Sequence, residues 1–316
     1  MNIGKLFKNI PSKFKSHKFS SLSFNSKICK NGDIFFSIKG NKKNGNQFID
    51  EAIKKGARTI VSDLKFQGIK DDILYIKTKN SRKLLSEVSS KFYEKKPENL
   101  IAVTGTNGKS SIVNFYFQIL NINKVKAASI GTLGINYPYG NKKIINTTLD
   151  PINLNKTLEE LKKKNINNVI LEASSHGLKQ NRLDGLKFDT AIFTNLSRDH
   201  LDYHRTYKDY LNSKLILFNK LLKKNSTIIF DNDTPQSNIF KKISTKKKLK
   251  SYRIGKKNSD IVVKKHLFLG DSQKVEFIFK KKLYSFSTNL IGKIQIKNIL
   301  MAVLAAKNSK IKFSKI

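Results

Sequence analysis

The feature that most constrains this chain is the stretch AVTGTNGKSS at residues 102–111, set between an apolar run and a helical pattern. NLIAVTG upstream has the length and composition of a buried strand, and KSSIVNFYFQIL downstream carries apolar residues at helical spacing. Strand, glycine-rich turn and helix in that order open a parallel α/β unit. The turn ends in Gly-Lys-Ser, as phosphate-binding loops do. The glycine that G-x-x-x-x-G-K-[ST] places five positions before Gly108 is here Val103. Backbone amides at a helix N-terminus favour anions, Lys109 is long enough to reach terminal phosphates, and the Ser110 hydroxyl suits Mg²⁺.

The neighbouring sequence repeats the alternation. Before the loop, DIFFSI, RTIVSD and DILYIK read as strands, while NQFIDEAIKKGA and SRKLLSEVSSKFYEK read as helices. Pro97 marks the boundary between a domain at 1–96 and a second at 97–316. In the second, a loop containing Pro138 and Gly140 leads to the helix INLNKTLEELKKKN and the strand NVILEA. TAIFTNLS is then a strand, YKDYLNSKLILFNKLLKK a helix and STIIFD a strand. Residues 251–289 are rich in strand-like stretches, and a helix near 297–307 closes the chain. Strands alternating with helices predict a parallel sheet covered on both faces.

Charge raises a different class of protein. A formal net charge of +39 suggests nucleic acid, yet of 62 basic residues only six are arginine, and the lysines are spread over the whole length. Arginine is the side chain suited to bidentate reading of phosphates and bases. The composition therefore predicts a solvated lysine surface rather than a specific nucleic-acid groove. One cysteine, Cys29, excludes an internal disulfide. No run approaches the ~18 apolar residues of a membrane span. The basic N-terminus lacks both the arginines of a transit peptide and the apolar core of a secretory signal, so a cytosolic location is expected.

Several side chains carry chemistry. Glu172 ends the strand NVILE and is followed by Ser174, Ser175, His176 and Gly177. Carboxyl ends of parallel strands line the ligand crevice, and a carboxylate there suits a hard metal. NLSRDHLDYHR holds His200 and His204 four apart, a spacing that puts both rings on one helix face. The Glu of H-E-x-x-H is missing, so one histidine serving the site, with the other structural, is the better reading. Lys214 falls on a helical stripe with Tyr207, Tyr210, Leu211, Leu215 and Phe218. Most such lysines extend to solvent. A desolvated one becomes a neutral amine, able to take up CO₂ as a carbamate that ligates Mg²⁺ through oxygen.

Taken together, AVTGTNGKSS, NTTLDP, LEASSHGLKQNRL, FTNLSRDHLDYH and YLNSKLILF resemble the Mur ligases, and within them the MurE type. The resemblance runs from about residue 19 to the end, and the joint order of five motifs is specific. The family's phosphate loop is G-T-N-G-K-[ST], which accounts for Val103.

The resemblance implies a uridine-nucleotide-binding α/β domain followed by a P-loop parallel-sheet ATP-binding domain. It places the ATP phosphates on Gly105, Thr106, Asn107, Gly108, Lys109, Ser110 and Ser111, with Asn298 on the adenine side. Ser110, Glu172, His200 and Lys214, the last carbamylated, are implied to serve two Mg²⁺ ions, with Lys109, Lys214, His200 and Glu172 as the catalytic set. Asn146, Thr147, Thr148, Ser174, Gln180 and Arg182 are implied to hold UDP-N-acetylmuramoyl-L-alanyl-D-glutamate, and Ser26 its uridine. Where the family has Asp-Ser-Arg this chain has Asn25-Ser26-Lys27, and where it has the first Asn of G-x-F-N-x-x-N this chain has Gln295.

The implied reaction is ATP-driven amide formation with meso-diaminopimelate or L-lysine, in peptidoglycan precursor synthesis. A third, C-terminal Rossmann-like domain of the family would begin where this chain ends. The expectation is therefore a chain that binds nucleotide and muramoyl-dipeptide, with a separate chain as the partner that supplies the third domain. Other Mur-type ligases, folylpolyglutamate synthase and a non-catalytic binding fragment are the alternatives.

Overall fold

A computed structural model describes the chain except for residues 8–9, 41–42, 200–202, 310 and 314–316. It forms two compact units. The first comprises Met1–Lys95, Asp150–Glu159 and Gln180–Leu186, and the second comprises Lys96–Leu149, Glu160–Lys179 and Lys187–Ile316. The first unit thus takes two segments from beyond residue 96, a return that no local sequence signal announces.

Among the described residues, the first unit holds five strands: β1 (Leu22–Ser23), β2 (Ile34–Phe36), β3 (Thr59–Ser62), β4 (Gly68–Lys70) and β5 (Ile73–Lys77). They lie in the order β1-β2-β3-β5-β4, parallel except for β4, which runs antiparallel to β5. Side chains alternate across a strand, so Ile34 and Phe36 join Val61, Leu74 and Ile76 on one face, while Phe35 joins Ile60 and Ile73 on the other. Helix α1 (Ile49–Lys54) covers the second face through Ile49 and Ala52, and α2 (Ser81–Phe92) covers the first through Leu85 and Val88. Asn80 caps α2 by accepting from the Lys83 amide at 2.9 Å.

The second unit holds β6 (Asn99–Thr104), β7 (Ala127–Gly131), β8 (Gly134–Tyr137), β9 (Gly140–Lys142), β10 (Asn168–Glu172), β11 (Phe188–Phe193), β12 (Leu222–Asp231), β13 (Lys250–Gly255), β14 (Ile261–Leu269), β15 (Ser272–Phe279) and β16 (Lys282–Thr288). These described strands form one sheet in the order β16-β15-β14-β13-β12-β11-β6-β10-β7-β8-β9. From β14 to β7 all neighbours are parallel, and antiparallel strands extend both edges. The unit's helices are α3 (Lys109–Ile122), α5 (Ser175–Lys179), α6 (Tyr207–Lys220), α7 (Ser237–Lys247) and α8 (Lys293–Asn308), while α4 (Pro151–Lys163) belongs to the first unit up to Glu159 and to the second beyond it. The main core packs Ile101 and Val103 of β6 against Ile112, Val113, Tyr116 and Leu120 of α3 and Leu300, Met301 and Leu304 of α8. Each such side chain contributes roughly 1.5–3 kcal/mol of burial.

The structure corrects four local readings. The stretch around Pro138 and Gly140 is the β7–β8–β9 meander rather than a loop. The helix read over 207–224 stops at Lys220, and β12 begins at Leu222. Helix α7 had no counterpart in the sequence reading, because its lysines obscure a thin apolar face of Phe240 and little else. The buried face of α6 is Tyr210, Ser213, Lys214, Leu217 and Phe218, while Tyr207 is exposed. Leu211 and Leu215 are only half-buried, so the face is rotated away from them.

Candidate active site

Strands β6, β10 and β11 are neighbours in register, with Val103 opposite both Glu172 and Ile192 and Thr104 opposite Phe193. Their carboxyl ends therefore open at one level, where parallel sheets place their ligands. Val103, in the position of the missing glycine, is a fully buried strand residue. The turn proper starts at Gly105. There φ is +149°, and a Cβ would lie 1.8 Å from Thr194 Oγ1. At Gly108 φ is +86°, and a Cβ would lie 2.5 Å from Asn298 Oδ1. Both positions exclude side chains, and Asn298 is thereby brought against the loop.

The residues after β11 brace the loop. The Thr106 amide donates to Asn195 O at 2.9 Å, the Asn107 amide donates to Asn195 Oδ1 at 3.0 Å, and Thr194 Oγ1 donates to Asn107 O at 2.6 Å. Lys109 folds back over the turn, donating to Thr106 O at 2.7 Å and Gly105 O at 3.1 Å. Burial lowers its pKa, opposed by the charges of Glu172 and Asp199.

Glu172 is buried and receives the Ser110 hydroxyl at 2.9 Å and the Thr132 amide at 2.7 Å on the same oxygen. Ser110 and Glu172 thus converge as two oxygen donors beside the phosphate loop, a set that fits a hard divalent cation. Among the described residues no cluster of three or more His, Cys, Asp or Glu side chains stands ready for a metal. His200 lies outside the described residues.

Lys214 is 1% exposed, and its Nζ donates to Gly105 O at 2.8 Å. Burial pushes its pKa down to about 6, helped by the charge of Lys109 and opposed by Asp199. The ammonium position lies 4.1 Å from the centre of the Tyr210 ring, whose hydroxyl is 3.2 Å from Thr106 Oγ1. Two lysines from different helices therefore meet the same carbonyl of the loop.

Thr148 and Ser174 also come together in this unit. Thr148 Oγ1 donates to Glu172 O at 2.9 Å, accepts the Ser174 amide at 3.0 Å and lies 3.0 Å from Ser174 Oγ. Thr147 Oγ1 is 3.2 Å from Thr132 Oγ1, and Asn146 is exposed. In the first unit, Gln180 Oε1 accepts from Arg182 at 3.1 and 2.8 Å, and the Ser26 hydroxyl donates to Glu51 at 2.6 Å. Ser111 is half-buried in the first turn of α3.

Residues missed by the sequence reading lie beside Asn298. A cavity of about 550 Å³ opens there between an apolar wall of Ile254, Val263, Ile296 and Met301 and the polar groups of Asn195 and His266. Lys297 bridges Asp231 at 2.6 Å and Asp233 at 3.0 Å at its rim. The pair of carboxylates closing β12 in FDNDTP was the available signal. His204 is not on a helix, and its ring is buried against Ser175.

A phosphate loop between a parallel strand and a helix, with a second buried lysine at its first glycine, defines a P-loop nucleotide-binding protein of the α/β class. The model of the Mur ligase middle domain matches residues 103–306, and that of the Mur ligase family catalytic domain matches residues 18–93. The chain belongs to the Mur ligase family.

It is 40% identical to the UDP-N-acetylmuramoyl-L-alanyl-D-glutamate–2,6-diaminopimelate ligase of Rickettsia montanensis over 94% of this chain and 62% of that protein. It is 38% identical to the ligase of the same name from Rickettsia felis, over 98% of this chain and 68% of that one. A solved structure of a ligase of this name superposes with a TM-score of 0.89 at 24% identity, covering all of this chain and 65% of that one, and so shares the fold. The chain thus spans about three-fifths of the length of the Rickettsia montanensis relative. Among the described residues, no helix is long and apolar enough to cross a membrane.

Proposed function

We propose that this chain carries the ATP- and UDP-muramoyl-dipeptide-binding machinery of a ligase that adds diaminopimelate or lysine to UDP-N-acetylmuramoyl-L-alanyl-D-glutamate. The observation that carries the reading is the pair Lys109 and Lys214 at the Gly105 carbonyl, beside the Ser110–Glu172 pair. The names of the relatives supply the substrate.

In this reading residues 105–111 hold the phosphates, through the amides that Asn195 does not take and the Lys109 ammonium, and the cavity beside Asn298 takes the base. The substrate carboxylate attacks the γ-phosphorus and breaks its bond to the ADP oxygen, leaving an acyl phosphate. The amine of the incoming amino acid then attacks the acyl carbon, loses a proton and expels inorganic phosphate. Both steps gather negative charge at one place, which the remaining loop amides and Lys109, once it leaves the carbonyls of Gly105 and Thr106, offset. Ser110 and Glu172, with His200 and a carbamylated Lys214, would hold Mg²⁺, which supplies further neutralisation of the phosphates when bound. Burial leaves Lys214 largely neutral at pH 7.5, the form that reacts with CO₂. Thr148 and Ser174, together with Asn146, Thr147, Gln180, Arg182 and Ser26, hold the muramoyl-dipeptide in this proposal.

Thermal unfolding with each ligand tests it. UDP-muramoyl-dipeptide and a non-hydrolysable ATP analogue should each raise Tm, by an amount that grows with ligand concentration. An unchanged Tm at saturating dipeptide would sink the substrate assignment. ¹³C NMR after equilibration with labelled bicarbonate should show one carbamate signal that is lost in Lys214→Ala. Identical spectra for the two proteins would sink the carbamate.

A further inference from the structure

Helix α5 has five residues, too few to persist through its own hydrogen bonds. Both of its ends are tied to the segment entering α6. At its start, Ser175 Oγ lies 2.9 Å from His204 Nε2. At its end, Lys179 bonds Asp209 Oδ2 at 2.5 Å. His204 lies between the two ties, its Nδ1 3.6 Å from the same Asp209 oxygen and beyond hydrogen-bond distance.

The ring is fully buried, with Tyr203, Tyr210 and His176 ring centres at 4.9, 5.0 and 5.5 Å. Burial, the charge of Lys179 and that of His176 lower its pKa, opposed by Asp209, so the ring is neutral at pH 7. A neutral ring with its Nδ1 proton toward Asp209 accepts the Ser175 hydroxyl proton at Nε2. Asp209 is fixed in turn, since its amide donates to Thr206 Oγ1 at 3.0 Å. Ser174, one residue before α5, accepts the Gly177 amide at 3.1 Å and meets Thr148. The direction of its hydroxyl is thus set by where α5 begins.

We propose that His204 is a positioning residue, which ties the first turn of α5 to the start of α6 and so aims Ser174 at the carboxylate-bearing ligand. The ligand part rests on the reading of the preceding subsection, while the tie itself does not. No chemical step passes through His204. Its effect is on the geometry of the 174–177 turn.

Hydrogen exchange on the full chain tests the tie. Ser175→Ala and His204→Phe should each speed exchange of the amides of residues 177–179 by about tenfold, the value of one buried hydrogen bond, with the amides of α3 unchanged. His204→Gln retains an acceptor for Ser175 and should recover most of the protection. Calorimetric titration should show the affinity for UDP-muramoyl-dipeptide falling about tenfold in Ser175→Ala and His204→Phe, with ADP affinity unchanged.

Unchanged exchange in Ser175→Ala overturns the tie even if His204→Phe fails to fold. A His204→Gln variant no better protected than His204→Phe assigns the effect to ring packing and overturns it as well. Faster exchange with unaltered dipeptide affinity overturns the aiming of Ser174. Absence of dipeptide binding by the unmodified chain instead refutes the substrate reading, and leaves the exchange result to judge the tie.

Discussion

After β6 the chain turns through Gly105 and Gly108 into a helix of fourteen residues; after β10, one strand over and in register with it, the chain turns through Ser174 into a helix of five. The first turn is shaped by its glycines, with Thr194, Asn195 and Lys214 bracing it. Its glycines admit conformations and contacts that a Cβ forbids, and α3 is long enough to be secured by its own buried face of Ile112, Val113, Tyr116 and Leu120. The second is held by side chains from elsewhere, namely Thr148, His204 and Asp209. Two turns with equivalent positions at the same sheet edge therefore fail in different ways. The first breaks when a side chain is added, and the second when one is removed.

The sharpest break of that contrast is Gly105→Ala. The added methyl meets Thr194 Oγ1 far inside contact distance, at a positive φ. We expect nucleotide binding to vanish and stability to fall by about 3 kcal/mol or more, read by calorimetry and denaturant unfolding. A variant that binds an ATP analogue normally would show that the turn is not backbone-determined. Lys109→Ala leaves that backbone intact, so affinity for the analogue should fall about 100-fold while Tm barely moves. Equal losses of affinity and stability would mean that Lys109 is mainly a brace for the carbonyls of Gly105 and Thr106.

A pH series probes the second lysine at the same carbonyl. Lys214 has a native pKa of about 6 against an ordinary 10.5. Between those values the unfolded chain binds the extra proton, so stability rises with pH and declines as pH falls toward 6. The rise should be about 2 kcal/mol between pH 6.5 and 8.5, and Lys214→Met should remove that part of the slope. Parallel curves for the two proteins would mean that Lys214 stays charged under Tyr210.

On the side-chain-built turn, Ser174→Ala removes the cap on Gly177 and should cost about 1 kcal/mol, with a larger proportional loss of dipeptide binding than of stability. The smallest effect belongs to Lys297→Met. Lys297 and Asp233 are each 30% exposed, although Asp231 is buried, so stability should change by no more than about 1 kcal/mol in denaturant unfolding. A much larger loss would show that this rim organises the cavity beside Asn298.

Most of what could be read in advance is local. NLIAVTG, the glycines and the apolar face of α3 lie within some twenty consecutive residues, and each dictates its own backbone. Lys214 was legible as an anomaly, a lysine on a helix's buried side, although the exact face was rotated. His204 read as structural beside His200, and nothing near it in sequence pointed to Ser175, twenty-nine residues away. The return of residues 150–159 and 180–186 to the first unit was equally silent. Asp231 and Asp233 acquire a meaning only when Lys297 arrives from the last helix.

What the sequence by itself determined is the α/β alternation, the phosphate loop and the family, since glycine, proline and periodic apolar residues act on the backbone within a few positions. What only the tertiary structure decided is which solitary polar groups become partners: Lys109 and Lys214 at Gly105, Ser110 at Glu172, Ser175 at His204. Those pairings arise because a parallel sheet brings the carboxyl ends of strands distant in sequence to one edge. There burial makes an unpaired hydroxyl, imidazole or ammonium costly, and the partner that relieves the cost is set by strand order rather than by neighbouring residues.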